Sequence, residues 1–93
     1  MKNKDYLYLD HAASTPMRKA SIEEYVNAES FGFANSSGGH KLSRDSKNLL
    51  EDSREKIASL LDVAPGEIIF TSGGTEADNW TIKSLFSSTK LDE

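Results

Sequence analysis

The sequence predicts an α/β fold, mostly helical, with one buried strand and a short N-terminal extended segment. Three observations carry this reading. Glu67–Thr71 (E-I-I-F-T) holds three consecutive apolar residues, two β-branched and one aromatic, the composition of a strand covered on both faces. Ser72, Gly73 and Gly74 break that run, and Thr75 follows as a candidate helix cap with Glu76 and Asp78 in the first turn, where acidic side chains complement free amides. Upstream, Leu42, Ser46, Leu49, Leu50, Ser53, Ile57, Leu60 and Leu61 recur at intervals of three and four, the pattern of a long amphipathic helix.

Each element has its own local signal. Lys2–Asp5 is a polar, fraying start, and Tyr6–Leu9 is a short extended run that ends in the polar turn Asp10-His11-Ala12-Ala13. A first helix is announced twice. Thr15-Pro16 offers a cap and a proline suited to the first helical position, and Ser21 with Glu24 offers a capping box further on. Met17, Ala20, Ile22, Tyr25 and Val26 give it an apolar side, and Gly32 stops it near Ser30. Phe31–His40 is nonperiodic, with three Gly and three Asn or Ser, and reads as a loop. The long helix of Leu42–Leu61, with Lys47 and Glu51 placed as an i,i+4 ion pair, ends at Asp62-Val63-Ala64-Pro65-Gly66, since proline biases Ala64 away from the helix. Ala77–Phe86 is apolar on more than one face, and Trp80, one turn into it, is a packing residue. Ser87–Glu93 reads as a tail or a severed connection.

Composition narrows the function. Of 93 residues, 37% are hydrophobic and 28% charged, which argues against disorder. The formal charge is -4, with basic and acidic residues interleaved, so nucleic acid is not an expected partner. No apolar run reaches a membrane span and Met1–Asp5 opens no signal peptide, so no membrane is expected and the expected location is cytoplasmic. The chain has no Cys, which removes disulfides, thiolate metal sites and any cysteine nucleophile of its own. The two His have no metal-ligand spacing, and no metal site is expected.

A strand, a Gly-Gly turn and a helix start form an anion cradle, because unpaired backbone N–H groups converge there. Ser72 and Thr75 could add hydroxyl donors to the amides around Gly73 and Gly74; a plain capped turn is the alternative. No Lys follows the glycines, so this is not a Walker A loop.

The segment F-T-S-G-G-T-E-A-D-N (Phe70–Asn79), preceded by Y-L-D-H-A-A-S-T-P (Tyr8–Pro16) and the long charged helix, resembles the N-terminal part of the cysteine desulfurases. These are pyridoxal-phosphate enzymes of the class V aminotransferase group, fold type I. The resemblance runs from about Tyr8 to Leu85. It implies an incomplete large domain over residues 16–93 behind an N-terminal extended segment over 1–15. It also implies pyridoxal 5'-phosphate as cofactor of the completed enzyme, with its phosphate held at Ser72, Gly73, Gly74 and Thr75. His11, Ala12 and Asn35 would border the substrate region, and His40 stands at the family's position before the long helix. The family wording near F-G-N-P-S-S is shifted here to Phe33-Ala34-Asn35-Ser36-Ser37, without the proline.

In that family a Lys that binds the cofactor and a Cys that accepts sulfur from L-cysteine, leaving L-alanine, lie far beyond this length. No catalytic residue is therefore expected in this chain. One buried strand cannot satisfy its own N–H and C=O groups, so its partners would come from Tyr6–Leu9, another copy or a second polypeptide. Three readings stay open. The chain is an N-terminal portion or split subunit of a desulfurase, completed by a portion carrying the Lys and Cys and serving sulfur-acceptor proteins of iron–sulfur cluster assembly. Or it is a noncatalytic truncated relative that acts as an interaction or homodimerisation protein through the long helix. Or it is a small phosphate-binding module. Selenocysteine cleavage and kynurenine hydrolysis would use the same anchor.

Overall fold

A computed structural model describes residues 5–88; the fraying start over Lys2–Asp5 falls, apart from Asp5, outside them, as does the tail beyond Ser88. Its elements, in order, are α1 (Lys19–Glu29), α2 (Lys41–Leu61), a 3-10 turn (Pro65–Glu67) and α3 (Gly74–Ser88). The chain divides into two compact units, Met1–Glu51 and Asp52–Glu93, with the boundary inside α2.

The described residues contain no β-strand, which overturns the expected α/β class and its buried strand. Ile68 has extended dihedrals (φ -96, ψ 123), so the backbone does leave the 3-10 turn in a strand-like conformation. What is missing is a ladder. A strand is defined by hydrogen bonds to a neighbour, and among the described residues none is in place beside 68–71. Burial fails as well: Ile69 is 59% exposed and Phe70 41%. Tyr6–Leu9 is likewise unpaired and exposed, so it supplies no partner strand.

In the first unit, Tyr8 organises the N-terminal turn. Its hydroxyl lies 2.8 Å from the Asp10 carbonyl, 3.1 Å from the Ser14 carbonyl and 3.2 Å from Ser14 Oγ, while Ala13 N–H donates to Asp10 O at 3.1 Å. Neither sequence signal for the start of α1 is used. The helix begins at Lys19 behind an extended Arg18 without a side-chain cap, so Pro16 stands outside it and Ser21 inside. It closes where expected, with Ser30 Oγ donating to Asn27 O at 2.6 Å. Gly32 then passes close to α2: a Cβ there would lie 2.6 Å from Leu49 Cδ2 and 3.1 Å from Ala28 O.

Helix α2 is 21 residues, about 30 Å long. His40 sits just before it, with Nδ1 accepting the Ser43 N–H at 3.2 Å and Nε2 3.0 Å from Ser43 Oγ. Gly38 covers this pair, since an added Cβ would come within 2.2 Å of Ser43 Oγ. Lys41 and Asp45 pair at 2.9 Å along the first turns. The helix ends in a Schellman motif: Val63 N–H donates to Ala58 O at 3.0 Å and Asp62 N–H to Ser59 O at 3.3 Å, with Asp62 left-handed at φ 55. Ala64 is extended before Pro65, as a residue preceding proline prefers, and its N–H is taken by Glu67 Oε2 at 2.8 Å.

Burial along α2 follows the predicted stripe only in its middle, where Ser46 is buried and Leu49, Leu50 and Ser53 are half-buried. Ser43, Ser46 and Ala58 are the buried side chains, whereas Leu42, Leu60 and Leu61 on the apolar stripe remain exposed.

Candidate functional site

The second unit carries the Gly-Gly turn. Residues 68–71 link the 3-10 turn to α3, leaving that turn through the extended Ile68, and side chains from Glu67 to Thr71 alternate between two sides. Phe70 meets Arg54, whose guanidinium carbon is 5.0 Å from the ring centroid, and Arg54 Nη1 donates to the Ile68 carbonyl. Glu67, Ile69 and Thr71 face the other way and line a groove with Ala77, Trp80 and Leu85 of α3. One side of this segment is therefore held by α2 and the other opens onto the groove.

Beyond Thr71 the chain turns. Thr71 Oγ1 donates to Gly73 O at 3.0 Å, and the same carbonyl accepts the first helical bond from Ala77 N–H at 3.1 Å. That bond makes Gly73 the capping position, and Thr75, expected as the cap, lies in the first turn of α3. The amides of Gly74, Thr75 and Glu76 cannot be satisfied inside the helix. They form a cluster of donors at its positive end. Neither glycine has a positive φ, and a Cβ on Gly73 or Gly74 would meet nothing within 4 Å. Their value is open approach to backbone rather than a special dihedral.

The side chains around the turn divide in their availability. Glu76 folds back so that Oε1 accepts the Ser72 N–H at 3.4 Å and Oε2 the Ser72 hydroxyl at 3.2 Å. Ser72 is engaged by that carboxylate. The Thr75 hydroxyl has no hydrogen-bond partner among the described residues, while its carbonyl accepts Asn79 Nδ2 at 2.8 Å. Free amides, one free hydroxyl and two side-chain-free positions fit the terminal oxygens of a phosphate ester.

The structure thus brings Ser72, Gly73, Gly74 and Thr75 into one turn. The other predicted residues belong to the first unit. His11 is exposed and packs edge-on against Tyr8, with ring centroids 5.0 Å apart at 73°. Ala12 is exposed in the same turn. Asn35 closes an Asx turn, its Oδ1 accepting Ser37 N–H at 2.9 Å and its carbonyl accepting Gly38 N–H at 3.2 Å. Two participants had only weak sequence signals. The position of Glu76 in the first turn predicts only that it complements the helix end, not that it holds Ser72, and Arg54 lies 14 residues from the carbonyl it binds. Among the described residues no cluster of three or more His, Asp or Glu could hold a metal ion, and no helix is long and apolar enough to cross a membrane.

Comparison with known proteins gives a consistent family. Residues 7–93 match the family described as Aminotransferase class-V. The chain is 45% identical over 76 residues to the putative cysteine desulfurase IscS 1 of Bacillus subtilis, covering 82% of this chain and 20% of that protein. It is 43% identical over 79 residues to an IscS-like cysteine desulfurase of Mycobacterium tuberculosis, covering 85% of this chain and 20% of the relative. A cysteine desulfurase IscS of Methanosarcina thermophila is 39% identical over 79 residues, with the same two coverages of 85% and 20%. The chain thus spans about a fifth of the length of these relatives. No solved structure matches it.

Proposed function

Since the chain belongs to the class-V aminotransferase family and is homologous to its cysteine desulfurases, we propose that it supplies the phosphate-holding part of a pyridoxal-phosphate-dependent cysteine desulfurase. The observation that carries this reading is the turn at Ser72–Thr75, where open glycines and unpaired first-turn amides fit a phosphate. The bound cofactor would supply the electron sink for breaking bonds at the α- and β-carbons of cysteine. The chain's own part is narrower. Gly73 and Gly74 would let the phosphate reach the backbone, the amides of Gly74 and Thr75 would bind its oxygens, and the Thr75 hydroxyl would orient it. The positive end of α3 would add a favourable field.

With no Cys in the chain, a sulfur-accepting thiol would come from a complementary portion, and the family resemblance puts the lysine that binds the cofactor there as well. L-Cysteine would be converted to L-alanine, with sulfur passed to that thiol. His11, Ala12 and Asn35 would border the substrate once the site is assembled.

The test is co-purification from the native source, intact-mass identification of what accompanies the chain, and assay of the complex for alanine and sulfide from cysteine. A folded monomer that emerges alone and holds no cofactor overturns the reading in favour of a noncatalytic relative. Within an active complex, Thr75→Ala removes a hydroxyl donor to a charged group, a bond typically contributing about 1.5–3 kcal/mol. Cofactor retention after dialysis, followed by its visible absorbance, should fall at least about tenfold. Ser72→Ala should cost less, because that hydroxyl already serves Glu76.

A further inference from the structure

Glu76 holds Ser72 in a way that an ordinary helix cap does not. In a capping box the third helical residue accepts the N–H of the capping residue itself. Glu67 does this in the 3-10 turn, with Oε2 2.8 Å from the Ala64 nitrogen. Glu76 is the third residue of α3, whose capping position is Gly73, yet its carboxylate reaches past Gly73 to Ser72. Its two oxygens take two donors of that one residue, the N–H at 3.4 Å and the hydroxyl at 3.2 Å. Strong bonds of these kinds run about 2.7–3.2 Å and about 2.5–3.0 Å. Both residues are exposed as well. The grip is weak and open to exchange.

Ser72 directly precedes the two glycines, so the carboxylate stands at the edge of the donor cluster that opens α3. Two acceptor oxygens sharing a negative charge and resting on an N–H and an O–H reproduce one side of a bound phosphate. A phosphate that reaches the Gly74 and Thr75 amides therefore meets a like charge, and finds the Ser72 donors in use. Exchange conserves the hydrogen bonds. Ser72 passes both donors from carboxylate to phosphate, and water takes up the released carboxylate.

We infer that Glu76 is an internal competitor for the phosphate of a monoester ligand, occupying the Ser72 end of the empty cradle and leaving Ser72 when the ligand binds. This rests on the proposed phosphate-holding role of the turn and assigns the side chain that sets its affinity. The contacts that shape the turn lie within residues 71–77, so the full chain by itself serves for the test. Backbone amide resonances of Ser72–Glu76 are followed while the chain is titrated with inorganic phosphate and, separately, with pyridoxine 5'-phosphate, which carries the ester without the lysine-reactive aldehyde. The Ser72, Gly74 and Thr75 amides shift together. Glu76→Gln removes the charge at nearly constant shape and tightens both ligands at least about threefold. Asp78→Asn removes the same charge from the start of α3 but leaves Ser72 held, and changes either affinity less than twofold. Ser72→Ala weakens binding less than twofold in the parent chain, where the hydroxyl exchanges one anion for another. Beside Glu76→Ala it weakens binding at least about threefold, because the hydroxyl then serves the ligand alone.

Three outcomes overturn the inference: Glu76→Gln that binds no tighter, Asp78→Asn that tightens binding as much, or Ser72→Ala with the same effect in both backgrounds. If Thr75→Ala weakens binding in the same titration, any of these leaves the cradle standing without its competitor. Amides that respond to neither ligand, in the parent and in Glu76→Gln alike, overturn the inference and the cradle together.

Discussion

At the scale of single residues, the turn before α3 separates stability from binding unusually well. Gly74 opens the helix with an ordinary negative φ, and a Cβ there points into open space. Alanine fits that backbone and is the better helix former, by at most about 1 kcal/mol in a helix interior and less at its end. Gly74→Ala is therefore expected to leave the melting temperature of the assembled protein unchanged or slightly raised. The same methyl group would stand where a phosphate approaches the amides, so cofactor retention should fall severalfold. A thermal melt and an absorbance measurement on the same sample check both halves. Equal retention at equal stability would mean that the open space at Gly74 serves no ligand. The turn and the helix after it were legible in the sequence from Gly73 and Gly74, but the cap was not, since the first helical bond goes to Gly73 O and the expected cap Thr75 lies inside the helix. Nor was the side-chain contest: the spacing of Ser72 and Glu76 permits a contact but does not reveal that the carboxylate occupies both donors of Ser72.

Among the elements, the segment between the 3-10 turn and α3 depends on one side chain of α2. Arg54 binds the Ile68 carbonyl and covers the Phe70 ring, so a charged hydrogen bond and a cation–π contact hold residues that have no ladder of their own. The two together contribute about 2 kcal/mol to holding the segment. Arg54→Ala should free it, and chymotryptic cleavage after Phe70 should accelerate about tenfold or more, with Arg54→Lys in between because an ammonium cannot stack as a planar group. Cleavage at the unaltered rate would show that the segment is held by something else. Sequence periodicity found α2 to within one residue, since a long amphipathic pattern is a local property. It misjudged residues 67–71 for a physical reason. Their composition favours extended backbone, which Ile68 adopts, but a strand also needs a hydrogen-bonding neighbour that no local pattern can supply. The start of α1 failed differently, as Thr15 and Ser21 each carry capping chemistry and the chain uses neither.

For the molecule as a whole, the balance of burial sets how it behaves alone. Chains of this size that fold independently do so on a modest apolar core, yet among the described residues the buried apolar side chain is Ala58, accompanied by Ser43 and Ser46. Among the described residues Ser46 Oγ is enclosed without a hydrogen-bond partner, a further cost at that site. Leu60 at 86% exposed and Phe86 at 67% exposed give up most of the stabilisation that full burial would bring, about 1.5–3 kcal/mol for each such side chain. Helix α2 retains its capping at both ends and its ion pair, so helical structure can persist where tertiary packing is weak. Urea titration of the isolated chain should therefore show separate transitions: Trp80 emission already solvent-exposed at zero urea, and helix circular dichroism fading gradually over several molar. Co-expression with the complementary portion should merge them into one steep transition, because the newly buried apolar area raises the dependence on denaturant. Coincident, steep transitions for the chain by itself would show that its own packing suffices, and would count against any need for a complementary portion.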